Sequence, residues 1–203
     1  MHKLFMILLL LGVISCAWSN AYGRDRRDYY RYTRVHKERC SQNLAHLYNC
    51  LKFCADSNNG KLPAADNGVG LMELLRYGAL PEHFLCEVAK GKKIRKRSDL
   101  VPENIPYVYF GGANLDEALR QCPDLVLAFD KPNTRHCNIL LANGTVFELN
   151  DRLREMKIKK NRKIETCLDV VEILNYIYKY PPEVLTVLRR KARSMDKAAA
   201  NGK

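Results

Sequence analysis

One tryptophan, eight prolines and eleven glycines in 203 residues exclude a collagen-like, proline-rich or low-complexity chain. No apolar run reaches the roughly 20 residues that a spanning helix needs; the longest extends from Leu4 to Trp18 at most. A polytopic membrane protein is thereby excluded. No two cysteines stand in a Cys-x-x-Cys pair, the spacing that marks ordinary zinc modules. Gly-x-Ser-x-Gly, phosphate-loop and paired-carboxylate patterns are also missing, and with them the usual signatures of hydrolysis and nucleotide binding. The expectation is therefore a protein without catalytic residues, metal or cofactor. Acidic residues are in the minority, 22 against 34 lysines and arginines, for a net charge of +12. What is present is an apolar fraction of 47%, enough for one medium domain with an extension. Eight cysteines are many for a chain kept in a reducing compartment.

The N-terminus reads as an export signal. Lys3 supplies the positive charge and Leu4–Leu11 the apolar stretch, the layout of a secretory leader. Val13-Ile14-Ser15-Cys16 resembles a bacterial lipobox, so residues 1–19 are expected to be a signal cleaved before Cys16, with Cys16 as the lipid-attachment residue. Ordinary cleavage after Ser19, Ala21 or Gly23 is the alternative, and an uncleaved short anchor a third. The location expected is the periplasm or outer membrane, the cell surface included. Residues 20–35 carry tyrosines among arginines without a period and read as a tether.

Charge is distributed unevenly. Basic residues concentrate in 24–39, 90–97, 151–163 and 189–203, while 40–89 and 98–150 are net acidic. A nucleic-acid face would interleave basic and aromatic residues on folded elements, so no nucleic-acid partner is expected. Six of the eight residues 90–97 are Lys or Arg. Such runs are solvated loops in the plainer reading, and contacts to an anionic membrane surface or acidic wall polymer in the other.

Leu44, Leu47, Tyr48, Leu51, Cys54 and Ala55 recur at spacings of three and four, which predicts an amphipathic helix over 36–56. Ser57-Asn58-Asn59-Gly60 ends it. A short helix follows around Leu71–Leu75, then a short strand over Phe84–Val88. From 105 the period changes. Strands are expected at Ile105–Phe110 and Leu125–Phe129, separated by a helix over 114–121 with Asn114 as cap and Glu117 in the capping-box position. Asn143-Gly144, between the apolar runs Asn138–Ala142 and Thr145–Leu149, predicts a hairpin with both turn positions at positive φ. Residues 166–179 and the segment after Pro182 read as helices, fraying from Asp196 onward. The fold class is α+β: a helix packed on an antiparallel sheet, then a basic helical extension over 151–203.

Residue patterns also suggest sites. His46, Cys50 and Cys54 share one helix face, a candidate metal or thiol-enzyme surface with His36 or Cys167 as a further ligand. Cys137 beside His136 is a formal nucleophile pair, but neighbours on a strand face opposite ways. Asp56 to Asp66 could bind calcium, though not with EF-hand spacing. Cys122 with Cys137, and Cys50 or Cys54 with Cys167, are candidate disulfides; spacing does not decide between them and buried thiols.

Cys40-Ser41-Gln42-Asn43-Leu44, Tyr48 and Ala55-Asp56-Ser57-Asn58-Asn59-Gly60-Lys61-Leu62-Pro63 resemble the start of the globular head in bacterial type II secretion pseudopilins and type IV pilin-like proteins, especially those of planctomycetes and verrucomicrobia. Phe84-Leu85-Cys86, and His136 followed by Asn138-Ile139-Leu140-Leu141-Ala142-Asn143-Gly144-Thr145-Val146, match later parts of the pattern. The resemblance covers about residues 38–150. The family's Gly-Phe-Thr-Leu-Ile-Glu helix is absent, and its Asp-Gly-His has become Asn143-Gly144-Thr145. The resemblance implies a pilin-type head over 36–150 carried on a different anchor. It also implies a disulfide between Cys40 and Cys86, which match family positions. The function implied is an exported, envelope-associated structural or binding module without catalysis, with envelope or secretion-system proteins as partners. The alternatives are a minor pseudopilin-like accessory of a type II secretion system, or a thiol- or metal-dependent enzyme on the His46/Cys50/Cys54 face.

Overall fold

Residues 37–86, 99–132, 136–158 and 164–201 are described by the computed structural model. The export segment with Cys16, the tether, His36 and the basic run 90–97 lie outside them. From Lys37 onward the chain makes one compact unit.

Helix α1 runs over 37–57. Its period places Leu44, Leu47, Leu51, Cys54 and Ala55 on one buried stripe, as an amphipathic helix must. It closes on Gly60, whose N–H donates to the Ala55 carbonyl at 2.9 Å. Helix α2, Asn67–Glu73, passes into a 3-10 turn, Leu74–Tyr77, which ends at Gly78. The strand expected at Phe84–Val88 is not formed at its start. Pro81–Phe84 is a 3-10 turn with Pro81 in its first position, where the ring's preset φ suits a helical turn and the missing N–H costs nothing.

Four strands follow: β1 Tyr107–Tyr109, β2 Val126–Asp130, β3 Asn138–Leu141 and β4 Val146–Glu148. They form an antiparallel meander in the order β1-β2-β3-β4. Helix α3, Leu115–Gln121, joins β1 to β2, and the Glu117 N–H donates to its cap, Asn114 Oδ1. Helix α4, Leu149–Glu155, follows β4 directly. Helices α5, Cys167–Tyr178, and α6, Pro182–Asn201, complete the chain.

Both faces of the sheet are covered. Tyr107, Tyr109, Leu127 and Leu140 join the α1 and α2 side chains in one core. Val108, Phe110, Val126, Phe129, Ile139 and Leu141 join Leu149, Leu153, Val171, Leu174 and Leu188 in the other. Strands buried on both faces read as continuous apolar runs rather than alternations. A register shift in β2 between Val126 and Ala128 lets adjacent Leu127 and Ala128 share one core while Val126 and Phe129 enter the other. The segment expected as an extension is thus the second covering layer.

The end of α6 is not frayed. Asp196 accepts the Cys167 and Leu168 N–H groups at 2.7 and 3.1 Å, and the helix continues to Asn201. A carboxylate from α6 thus satisfies the first free donors of α5, beside the box made by Thr166 and Asp169. Asp196→Ala should cost ~1–2 kcal/mol by chemical denaturation; an unchanged midpoint would contradict this role.

The hairpin lies where expected, with a different turn. The Leu141 carbonyl accepts the Gly144 N–H at 3.0 Å, and of the two turn residues only Gly144 has positive φ, 82°. This matches a three-residue loop ending on a left-handed glycine. Asn143 contributes its side chain instead: Oδ1 accepts the Thr145 N–H, and Nδ2 donates to Asp124. Among the described residues no helix is long and apolar enough to cross a membrane.

Candidate functional site

Four side chains from distant parts of the chain meet beside the sheet. Cys40 comes from α1. Cys86 follows the Pro81–Phe84 turn. Asp130 is the last residue of β2, and His136 stands just before β3. One donor atom from each lies within 4.8 Å of all the others, and all four residues are buried. The β2–β3 register runs Asp130 alongside Asn138, and His136, two residues before β3, reaches Asp130 with its Nε2. The α1 stripe carries Cys40 down onto them, as it carries Leu44 and Leu47 into the core.

Cys86 Sγ lies 3.5 Å from His136 Nε2, and Asp130 Oδ2 lies 3.3 Å from the same nitrogen. Around these atoms is a supporting layer. Asn138 donates to Asp130 Oδ2 from its backbone N–H at 2.7 Å and from Nδ2 at 2.9 Å. The Leu85 carbonyl accepts from Tyr107 Oη and Asn43 Nδ2, both at 2.9 Å, which fixes the backbone next to Cys86. The Cys137 N–H donates to Glu148 Oε1 at 3.2 Å. Lys37 lies 3.3 Å from Glu148 Oε2 and also pairs with Asp151, tying the start of α1 to this end of the sheet.

One atom is left over. Asp130 Oδ1 is buried without a hydrogen-bond partner, a state that costs ~1–3 kcal/mol for a polar group. Burial pushes the Asp130 carboxyl up to about 7, against the opposing pull of His136 and the Asn138 hydrogen bonds. Its Cys86 neighbour, and then burial, push the Cys40 thiol well above its ordinary value. Burial opposes protonation of His136, yet Cys86, Asp130 and Glu148 together raise its pKa. The cluster therefore resists carrying negative charge by itself.

The arrangement differs from a nucleophile–base–carboxylate relay. An activated cysteine needs the base at one ring nitrogen and the orienting carboxylate at the other. Here Cys86 and Asp130 both face Nε2, and Asp130 is 0% and Cys86 9% exposed.

The other candidates are placed differently. On α1, Cys50 and Cys54 are core residues, while His46 is exposed and stacks on His83 with ring centroids 4.7 Å apart. They do not converge on a common point, because residues four and eight apart lie along the helix axis. Burial, then the neighbouring His46, holds the His83 pKa below its ordinary value. Cys137 enters the core on the α5 side while His136 turns to Cys86 and Asp130, so these neighbours do diverge. Cys167 belongs to that same core, Cys50 and Cys54 to the opposite one, so the sheet separates Cys167 from both, while Cys122 packs against the core that holds Cys137. No disulfide joins Cys40, Cys86, Cys122, Cys137 or the other described cysteines. Asp66, in the calcium candidate, already accepts Lys191 Nζ and the Gly111 N–H at 2.6 and 2.8 Å.

Asp130 gave no sign in the sequence of being a site residue beyond a carboxylate closing the apolar run Val126–Phe129. Cys40, Cys86 and His136 each lay in a motif, without any indication that the motifs meet.

Beside α3 and α6 lies a groove of about 420 Å³, lined by Phe110, Asn114, Leu125, Val184, Leu188 and Lys191 among others. It includes Cys122, whose thiol burial pushes up, and no histidine. Comparison with protein-family models, with curated proteins and with solved structures finds no match for this chain.

Proposed function

We propose that the chain is an exported, envelope-associated module of pilin-head type that acts through binding or assembly rather than catalysis. The observation that supports a non-catalytic role best is the burial of the Cys40, Cys86, Asp130 and His136 cluster. None of the four is more than 9% exposed, and Cys86 and Asp130 both face a single nitrogen of His136. The groove beside α6 includes Cys122 but no histidine. A helix laid on an antiparallel meander also suits the head that the Cys40–Leu44, Asp56–Pro63 and hairpin motifs resemble, and the lipobox-like Val13–Cys16 suits an envelope anchor.

Two measurements test this reading. The intact mass of the chain from its own envelope fraction should begin at Cys16 and include acyl groups, or begin near Asn20 without them. A full-length chain starting at Met1 in the cytosolic fraction would overturn export. Iodoacetamide should label Cys86 in the folded, chelator-treated protein at least ~100-fold more slowly than in denaturant, because a buried thiol is shielded from the reagent. Rapid labelling of Cys86 alone in the native chain would instead restore a thiol enzyme.

A further inference from the structure

We propose that Cys40, Cys86, Asp130 and His136 form a closed, four-coordinate site for a zinc-class divalent cation that staples α1 to the end of the sheet.

Distances carry this first. A zinc ion stands about 2.3 Å from sulfur and about 2.0–2.2 Å from nitrogen or oxygen. In a tetrahedron those legs require a sulfur–nitrogen edge of about 3.5 Å and a nitrogen–oxygen edge of about 3.4 Å. The edges found are 3.5 Å, Cys86 Sγ to His136 Nε2, and 3.3 Å, His136 Nε2 to Asp130 Oδ2. The two edges at His136 match a coordination shell, and all four donor atoms lie within 4.8 Å of one another.

Hydrogen bonding accounts for the cluster less well. Imidazole Nε2 has either one hydrogen or one lone pair. With the hydrogen it can donate to Asp130, and Cys86 then has no acceptor in it. With the lone pair it can accept from Cys86, and then it faces the carboxylate oxygen of Asp130. A cation at the centre satisfies both contacts at once.

The surrounding groups are those of a metal's outer shell. Ligating carboxylates are themselves held by hydrogen bonds, and Asn138 holds Asp130 Oδ2 twice. Tyr107 and Asn43 anchor the Leu85 carbonyl next to Cys86. Two thiolates with an imidazole and a carboxylate favour zinc and disfavour calcium and magnesium, which prefer oxygen. Four protein ligands, all buried, leave no open position, so the role is structural rather than catalytic. On binding, each thiol releases its proton to solvent and its sulfur donates an electron pair to the cation, with no change of oxidation state.

The test uses the full chain, reduced, stripped with chelator and then freed of it. Cobalt(II) should bind at one equivalent and show thiolate-to-metal charge-transfer absorption with intense tetrahedral bands. Zinc should displace it, and the metal-loaded chain should melt at a higher temperature than the stripped one. Asp130→Asn and His136→Asn should abolish the spectrum. Asn138→Ala, which keeps every ligand, should weaken zinc binding by roughly 10–100-fold. No cobalt spectrum in the wild-type chain would overturn the site, and so would an unchanged spectrum in His136→Asn. A Cys40–Cys86 disulfide in the chain taken from its own envelope would overturn it as well. The wild-type titration needs no variant, so it still decides the matter if a substitution misfolds.

Discussion

A chain ended at residue 150 will have no cooperative melt. Such a protein keeps α1 and every strand but loses α5, α6 and most of α4, and the second face of its sheet becomes solvent-exposed. Val108, Phe110, Val126, Phe129, Ile139 and Leu141 are all buried on that face in the complete chain. At ~1.5–3 kcal/mol for each buried side chain, their exposure forfeits roughly 9–18 kcal/mol. A domain's whole net stability is only ~5–15 kcal/mol, so the loss cannot be absorbed. The truncated chain should aggregate or give a non-cooperative thermal trace with poorly dispersed amide resonances. A truncated protein melting near the full-length temperature would show that residues 36–150 are an independent head after all. The single substitution Leu174→Ala probes the same layer more gently, at ~2.7–5 kcal/mol for a fully buried leucine.

Gly144→Ala should be strongly damaging on the other side of the molecule. Two independent effects coincide there. Gly144 has φ of 82°, a conformation that costs an alanine ~1–2 kcal/mol. Its missing side chain also makes room for Tyr48: a Cβ there would lie 2.5 Å from the tyrosine ring, and overpacking of this kind costs ~1–3 kcal/mol. Chemical denaturation should therefore report a loss of roughly 2–5 kcal/mol. Tyr48 also donates to the Ala142 carbonyl at 2.9 Å, so Tyr48→Phe should cost only ~1 kcal/mol. In a Tyr48→Ala background the steric part of the Gly144→Ala penalty should vanish while the backbone part remains. Equal penalties in both backgrounds would mean that the ring and the turn do not press on each other.

These two predictions rest on different kinds of information. The position of the hairpin was legible because Asn143-Gly144 interrupts two apolar runs, a signal contained within a few residues. Its turn type was not, since Asn143 uses its side chain on Thr145 and Asp124 rather than adopting positive φ. The α1 stripe was legible because spacings of three and four are set by the helix itself. The cap of α3 was legible for the same local reason, Asn114 meeting the Glu117 N–H three residues on. The expected fraying after Asp196 failed because Asp196 acts on Cys167 and Leu168, 29 and 28 residues earlier. The strand expected at Phe84–Val88 failed where Pro81 began a helical turn. The shift in β2 had no signal at all, because Val126, Leu127, Ala128 and Phe129 are all apolar and suit either face.

By itself the sequence determined whatever is decided within a few residues or by composition. That covers α1, the Asn114 cap, the hairpin's location, the α+β class and the lack of local catalytic motifs, since backbone periodicity and capping are short-range. Only the tertiary structure decided that α5 and α6 cover the sheet, and that Cys40, Cys86, Asp130 and His136 share one point. Those outcomes depend on strand register and on which core each apolar face joins. Such choices are made by packing among residues up to about a hundred positions apart, and no local pattern records them.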